Sequence, residues 1–379
     1  MESRKYYLDW LRVIAFAFLV LFHVGMLYVT WHYNLKSPRL VPQAEWVMSA
    51  LSAWRLSLLF FISGVASRFL IAKLGAGRFA LDRLRRLLPV IVFGMAVVIP
   101  PQTYVELVSK GVTHQGYLSF WFNSYLAADQ TMVRPLHKTM PTWDHLWFLV
   151  YLFVYVLVFA LIFGITRRAK ATPRALPLGL LLIAPAIWLA AANIAIWKWP
   201  LTEALVNDGA GHLKWIGMFA VGALCAKQQP FWAWVKTYRI ALLALAAFLF
   251  AVQSMVDDPL WSAVSGLYAW AAICALCGFA YRYLNKPSAL LSHLNEAVLP
   301  IYVLHQPILL IAAYFIFPLH LPLAAEAATL AAITGCGSFA IYELAIRPWT
   351  IMRFLFGLKP KESRAQNRAT GAIPGGASP

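Results

Sequence analysis

The chain has 379 residues, 61% of them apolar and only 12% charged, with a mean hydropathy of +0.67. Soluble domains hold an apolar share of about 45–50%, so a water-soluble globule is excluded. The formal net charge of +17 would suit nucleic acid, but the 32 Lys and Arg sit almost entirely between long apolar runs, which assigns them to membrane topology and anionic lipid instead.

A spanning helix needs about 20 mostly apolar residues. Runs near 10–31, 46–70, 87–107, 146–165, 176–197, 212–226, 239–256, 260–284, 297–317 and 322–346 predict ten such helices in an all-α, polytopic membrane protein. The sixth run is short. The first follows Arg4 and Lys5, but it outruns a signal-peptide core and lacks a small-residue cleavage pattern, so it is predicted to be retained. With the N-terminus in the cytoplasm, 24 of the Lys and Arg fall inside and seven outside, leaving Arg55 within a span. That asymmetry predicts both termini on the cytoplasmic side.

The longest outside segment, 108–145, carries His114, Trp121, Tyr125, His137 and His145 with nearly balanced charge. It reads equally as a lid or acceptor-binding loop and as an interfacial aromatic belt. Residues 1–358 are expected to form one transmembrane domain. The tail 359–379, rich in Gly, Pro, Ser and Ala without an apolar face, is expected to be disordered. No internal repeat is visible, which weighs against a transporter of two inverted halves. Cys225, Cys274, Cys277 and Cys336 lie inside apolar runs, so neither a disulfide framework nor a metal site is expected.

Ionisable groups within a span are costly unless they face protein or water. Arg12 and His23 are eleven positions apart, almost three helical turns, which places them on one face about 16 Å apart along the axis. Asp9 lies on that face and can pair with Arg12. A buried histidine of this kind is either a satisfied core residue or a base. Counting depth from the cytoplasmic ends of their helices puts His23, Arg55 and His305 in nearly one layer, roughly 15–20 Å in. Arg55 would then face a polar cavity with His23, or snorkel outward toward Glu45 or bond a helix carbonyl. The segment RFALDRLRRLLP, 78–89, crowds Arg83, Arg85 and Arg86 beside the membrane. It serves either as a positive-inside anchor or as forks for the phosphates of coenzyme A.

Taken together these segments resemble the membrane-bound acyltransferase-3 family. LDWLRVIAFAFLVLFH (8–23) matches its opening arginine and histidine motif, LLFFISG (58–64) its second-helix signature and RLRRLLP (83–89) its arginine cluster. HLWFLVYL (145–152) and LPIYVLHQPIL (299–309) are similar to its later motifs, so the likeness covers nearly the whole chain. Within the family the chain looks closest to the branch that includes proteins decorating periplasmic glucans with succinyl groups.

The resemblance implies an O-acyltransferase of the bacterial inner membrane that moves an acetyl or succinyl group from cytoplasmic acyl-CoA to a hydroxyl of a cell-envelope carbohydrate. By carry-over, His23 is the catalytic histidine and Arg12 its supporting arginine; helix spacing and depth, not the resemblance, add Asp9, Arg55 and His305 to the catalytic candidates. Arg83, Arg85 and Arg86 would bind the donor, and His145, Trp147 and Tyr302 the substrate. No metal or nucleic acid is implied. His23 could deprotonate the acceptor or carry the acyl group itself. The rival class is a transporter or flippase for an amphipathic glycan or lipid, with His23, Arg55 and His305 as its polar pathway.

Overall fold

A computed structural model describes residues 5–131, 139–167 and 175–360, and among these every regular element is helical. In chain order the main helices are α1 (Tyr6–Met26), α2 (Glu45–Leu74), α3 (Ala76–Phe93) and α4 (Pro100–Ser109). Then come α5 (Trp147–Arg167), α6 (Leu178–Lys198), α7 (Gly209–Cys225), α8 (Gln229–Thr237) and α9 (Arg239–Gln253). The last four are α10 (Leu260–Tyr283), α11 (Ala289–Ile316), α12 (Leu323–Ile341) and α13 (Thr350–Leu355).

Eight helical segments among the described residues are long and apolar enough to cross a membrane, or nine if α8 and α9, which meet at 73°, form one broken span. The chain is thus a multi-pass membrane protein, but not ten equal spans. The sixth and seventh runs yield α7 with 17 residues and α9 with 15. At 1.5 Å per residue these reach only about 25 and 22 Å of a hydrocarbon layer roughly 30 Å thick. A second correction concerns 78–89. The third apolar run begins near 87, but its helix α3 begins at Ala76 and takes in all of 78–89, with Pro89 inside it. A π turn at Gly94–Val98 then carries α3 into α4.

Lipid tails give helices no hydrophobic reason to associate, so close packing through small residues does the work. The most enclosed span is α10, with 78% of its apolar window buried against 28% for α6 and α12. Its inward positions include Ala269, Ala271, Ala272, Cys274, Ala275 and Gly278. Between α2 and α7 the approach is closer still. A Cβ on Gly64 would lie 1.9 Å from the Phe219 carbonyl oxygen, and one on Gly222 2.0 Å from that of Phe61. With Phe60 stacked on Trp215 at 5.5 Å, these pairs make α2 and α7 run parallel.

Helices α1 and α11 are also parallel and in step. Arg12 Nη1 donates to Asn295 Oδ1 at 3.1 Å, and three turns further on His23 meets His305. In the 108–145 segment, a short helix at 117–125 turns Phe120, Trp121 and Tyr125 inward. Tyr125 OH donates to the Met95 carbonyl at 2.9 Å and Trp121 Nε1 to that of Ala96 at 2.8 Å. Phe120 and Tyr125 are fully buried, while Leu118 and Phe122 on the same stretch are exposed. His137 and the tail from 361 onward lie outside the described residues.

Candidate active site

Pro307 shapes the site from below. Lacking an N–H, it leaves the Val303 carbonyl, four residues back in α11, without its helical partner. His145 takes that place, with Nε2 donating to Val303 O at 3.0 Å. One residue before His145 the backbone turns left-handed at Asp144 (φ 37°), which aims a carboxylate and an imidazole to either side of the chain. Tyr302 OH closes the pair of elements by donating to the His145 carbonyl at 2.6 Å.

On this scaffold His23 and His305 touch, Nδ1 to Nε2, at 2.7 Å. The opposite nitrogen of His305, Nδ1, lies 2.6 Å from the Tyr302 carbonyl, which can only accept, so His305 Nδ1 carries the hydrogen. In the uncharged pair His305 Nε2 is therefore the acceptor and His23 Nδ1 the donor. The remaining nitrogen of His23, Nε2, keeps its lone pair on the side away from His305. That is the tautomer a general base requires. His23 is only half-buried and lines a cavity of about 960 Å³, whereas His305 is 0% exposed and sits behind it. His305 thus reaches the cavity only through its contact with His23.

Arg55 does share the cavity with His23. It is 3% exposed, its guanidinium lies 3.6 Å over the Phe22 ring, and its Nε and Nη1 have no hydrogen-bond partner. It does not reach toward Glu45, whose carboxylate instead accepts from Thr30 N at 2.8 Å. Of the other predicted substrate contacts, His145, Trp147 and Tyr302 all line the same cavity. The Tyr302 hydroxyl is occupied by its bond to the His145 carbonyl, leaving its ring as the available surface.

Arg12, Asp9, Arg83, Arg85 and Arg86 stand elsewhere. None lines the cavity. Eleven residues of helix separate Arg12 from His23 by about 16 Å, so Arg12 and Asp9 cannot touch a group bound against His23. Arg12 bonds Asp9 at 3.5 Å and Asn295, Arg83 pairs with Asp82 at 3.1 Å, and Arg86 Nε donates to the Gly357 carbonyl at 2.8 Å. Arg85 is exposed. Together they form a basic cluster at the opposite end of α1.

Several cavity residues escaped sequence reasoning. Asp144 accepts from Gln306 Nε2 at 3.0 Å and from Asn34 Nδ2 at 3.1 Å, and Asn34 also donates to the buried Glu106 at 2.8 Å. Gln306 and Asp144 each adjoin a histidine already singled out, which is the signal that could have found them. Lys214 is buried within α7 and lines the cavity. A lone lysine inside an apolar run was the clue.

Glu203 stands at the mouth, in a left-handed turn (φ 54°) whose carbonyl accepts from Trp143 Nε1 at 2.9 Å. The residue is exposed overall and lines the cavity near Asp144. Desolvation first, then the charges of Asp144 and Asp208, push its carboxyl up to about 7. A carboxyl raised on folding contributes stability that is full below its unfolded value and lost as pH rises through the folded value. Glu203→Gln is therefore expected to raise the thermal midpoint relative to the parent at pH 8 and to leave it unchanged near pH 4, read by melting curves in detergent.

An acyltransferase-domain family model matches residues 5–343. Among curated proteins, glucans biosynthesis protein C of Salmonella dublin is 23% identical over 395 aligned positions, covering 96% of this chain and 97% of the relative. Its counterpart in Salmonella paratyphi A is 24% identical over the same shares. No solved structure matches the chain.

Proposed function

The chain belongs to the acyltransferase-3 family and is a membrane acyltransferase, and from that premise we propose that it moves an acyl group from acyl-CoA to a hydroxyl of a cell-envelope carbohydrate. The observation that carries the reading is the free Nε2 of His23 facing a cavity that also holds the unpaired Arg55. The acceptor hydroxyl oxygen attacks the thioester carbonyl while His23 Nε2 takes its proton. Arg55 stabilises the resulting oxyanion. The intermediate collapses with breakage of the C–S bond, and the imidazolium returns the proton to the departing thiolate. The products are an O-ester and free coenzyme A. His305 holds His23 in the reactive tautomer throughout.

Carbohydrate suits the walls of the cavity. Trp143, Trp147, Trp197 and Trp261 offer flat apolar faces for sugar rings, and Asp144, Asn193 and Asp258 offer acceptors and donors for hydroxyls. The name of the relatives, glucans biosynthesis protein C, agrees with a glucan as acceptor. An inner-membrane location with both termini cytoplasmic would present the basic cluster to cytoplasmic acyl-CoA and the cavity mouth to the envelope.

In this reading Arg83, Arg85 and Arg86 hold the donor phosphates. Replacing each with Ala is expected to weaken donor affinity by about 1.5–3 kcal/mol per charge-assisted bond lost. Lys should rescue only partly where the contact is bidentate. Donor titration of the purified variants checks this, and unchanged affinity in all three would make the cluster a topology signal alone. The reading as a whole is tested by mass spectrometry of envelope glycans from cells with and without the gene. An ester mass increment is expected only when the protein is present, and identical spectra would count against a glycan acceptor.

A further inference from the structure

The mechanism uses one buried cation of the cavity, Arg55, but a second is present. Lys214 is 8% exposed, lines the same cavity, and lies 4.8 Å from the centre of the Trp215 ring. Among the described residues no carboxylate forms an ion pair with Lys214 or with Arg55. An isolated ammonium in a membrane interior is costly unless an anion visits it.

The packing places the two cations in one layer. Phe60 stacks on Trp215 and Phe61 backs onto Gly222 in the parallel pair α2 and α7. Running that register back from Phe60 and Phe61 to Arg55 brings Arg55 level with 210–216, the stretch that contains Lys214. Arg55 in turn shares its cavity with His23, where the acyl carbonyl must sit to react. The substrate group bound to arrive in this layer at every turnover is thus the acyl chain itself, and an anion meeting Lys214 there is one carried on that chain.

We propose that Lys214 binds the distal carboxylate of a dicarboxylic acyl group and so selects a charged acyl donor over a neutral one of equal length; this rests on the acyl-transfer reading above. Arg55 then faces the reacting carbonyl and Lys214 the far end of the chain. No bond at the distal carboxylate is made or broken.

The test measures kcat/KM for succinyl-CoA and butyryl-CoA with the full-length protein in nanodiscs, comparing the parent with Lys214→Met, Lys214→Gln and Lys214→Arg. Each donor is paired with a neutral glucan oligosaccharide and with one bearing a carboxylate. The parent should favour succinyl-CoA, and the ratio of succinyl to butyryl should fall by about 10- to 100-fold in the Met and Gln variants and be largely kept in Arg. Two neutral replacements guard against a folding defect in either, monitored by melting temperature. A ratio unchanged in Met and Gln, or a loss that follows acceptor charge rather than donor charge, would overturn the assignment while leaving acyl transfer standing. If the parent transfers neither donor, the acyl-transfer reading falls and this proposal with it.

Discussion

Replacing His23 with Gln is expected to lower the rate of acyl transfer by roughly 10²–10⁴-fold, the usual cost of losing a positioned general base. Gln can still donate toward His305, so the membrane-embedded fold should persist and the loss should appear in kcat. The geometry makes a second demand. His305 Nδ1 bonds the Tyr302 carbonyl at 2.6 Å and its Nε2 meets His23 Nδ1 at 2.7 Å. His305→Gln should therefore also slow transfer, through misplacement of the His23 proton, while donor affinity stays near that of the parent. Single-turnover kinetics on folded variants read both effects. Substantial activity in His23→Gln would reduce His23 to a packing residue.

Arg55→Met should cost about 10²–10³-fold in kcat, the range observed when an oxyanion donor is removed from a buried site. Met keeps the length and the contact with Phe22 while deleting the charge, so the effect isolates electrostatics from packing. Arg55→Lys keeps the charge but loses the planar fork and should recover activity only in part. Because an unpaired guanidinium is itself costly to bury, Arg55→Met should hold or raise the thermal midpoint even as it loses activity. A parallel loss of stability and activity would instead mark Arg55 as structural.

Much of this was legible in the chain. Long apolar runs announce spanning helices because each must satisfy its backbone internally in lipid, and helical rise alone put His23, Arg55 and His305 at one depth. What apolar length cannot reveal is where a helix breaks. Tyr238 separates α8 from α9 at a sharp bend, and the helix of α7 stops at Cys225, so two runs that look like ordinary spans are not. Helix α3 differs the other way: it starts some ten residues before the apolar run, because the arginine-rich stretch ahead of that run is amphipathic and helical. The direct bond between His23 and His305 was also out of reach. Depth fixes one coordinate, but the rotation of α1 against α11 follows from packing across some 280 residues of chain. The inward turn of Lys214 was out of reach for a simpler reason: it lies near the end of a short run, where sequence alone does not separate a loop lysine from one turned inward.

The most direct measurement follows an acyl label. Purified protein in nanodiscs is incubated with acyl-CoA labelled in the acyl group and a glucan oligosaccharide, and the label and free thiol are quantified together. Acyl transfer at His23 predicts label in an alkali-labile ester of the oligosaccharide and an equal amount of free coenzyme A, both lost in His23→Gln. An intact thioester and an unlabelled oligosaccharide in the parent protein would contradict the account.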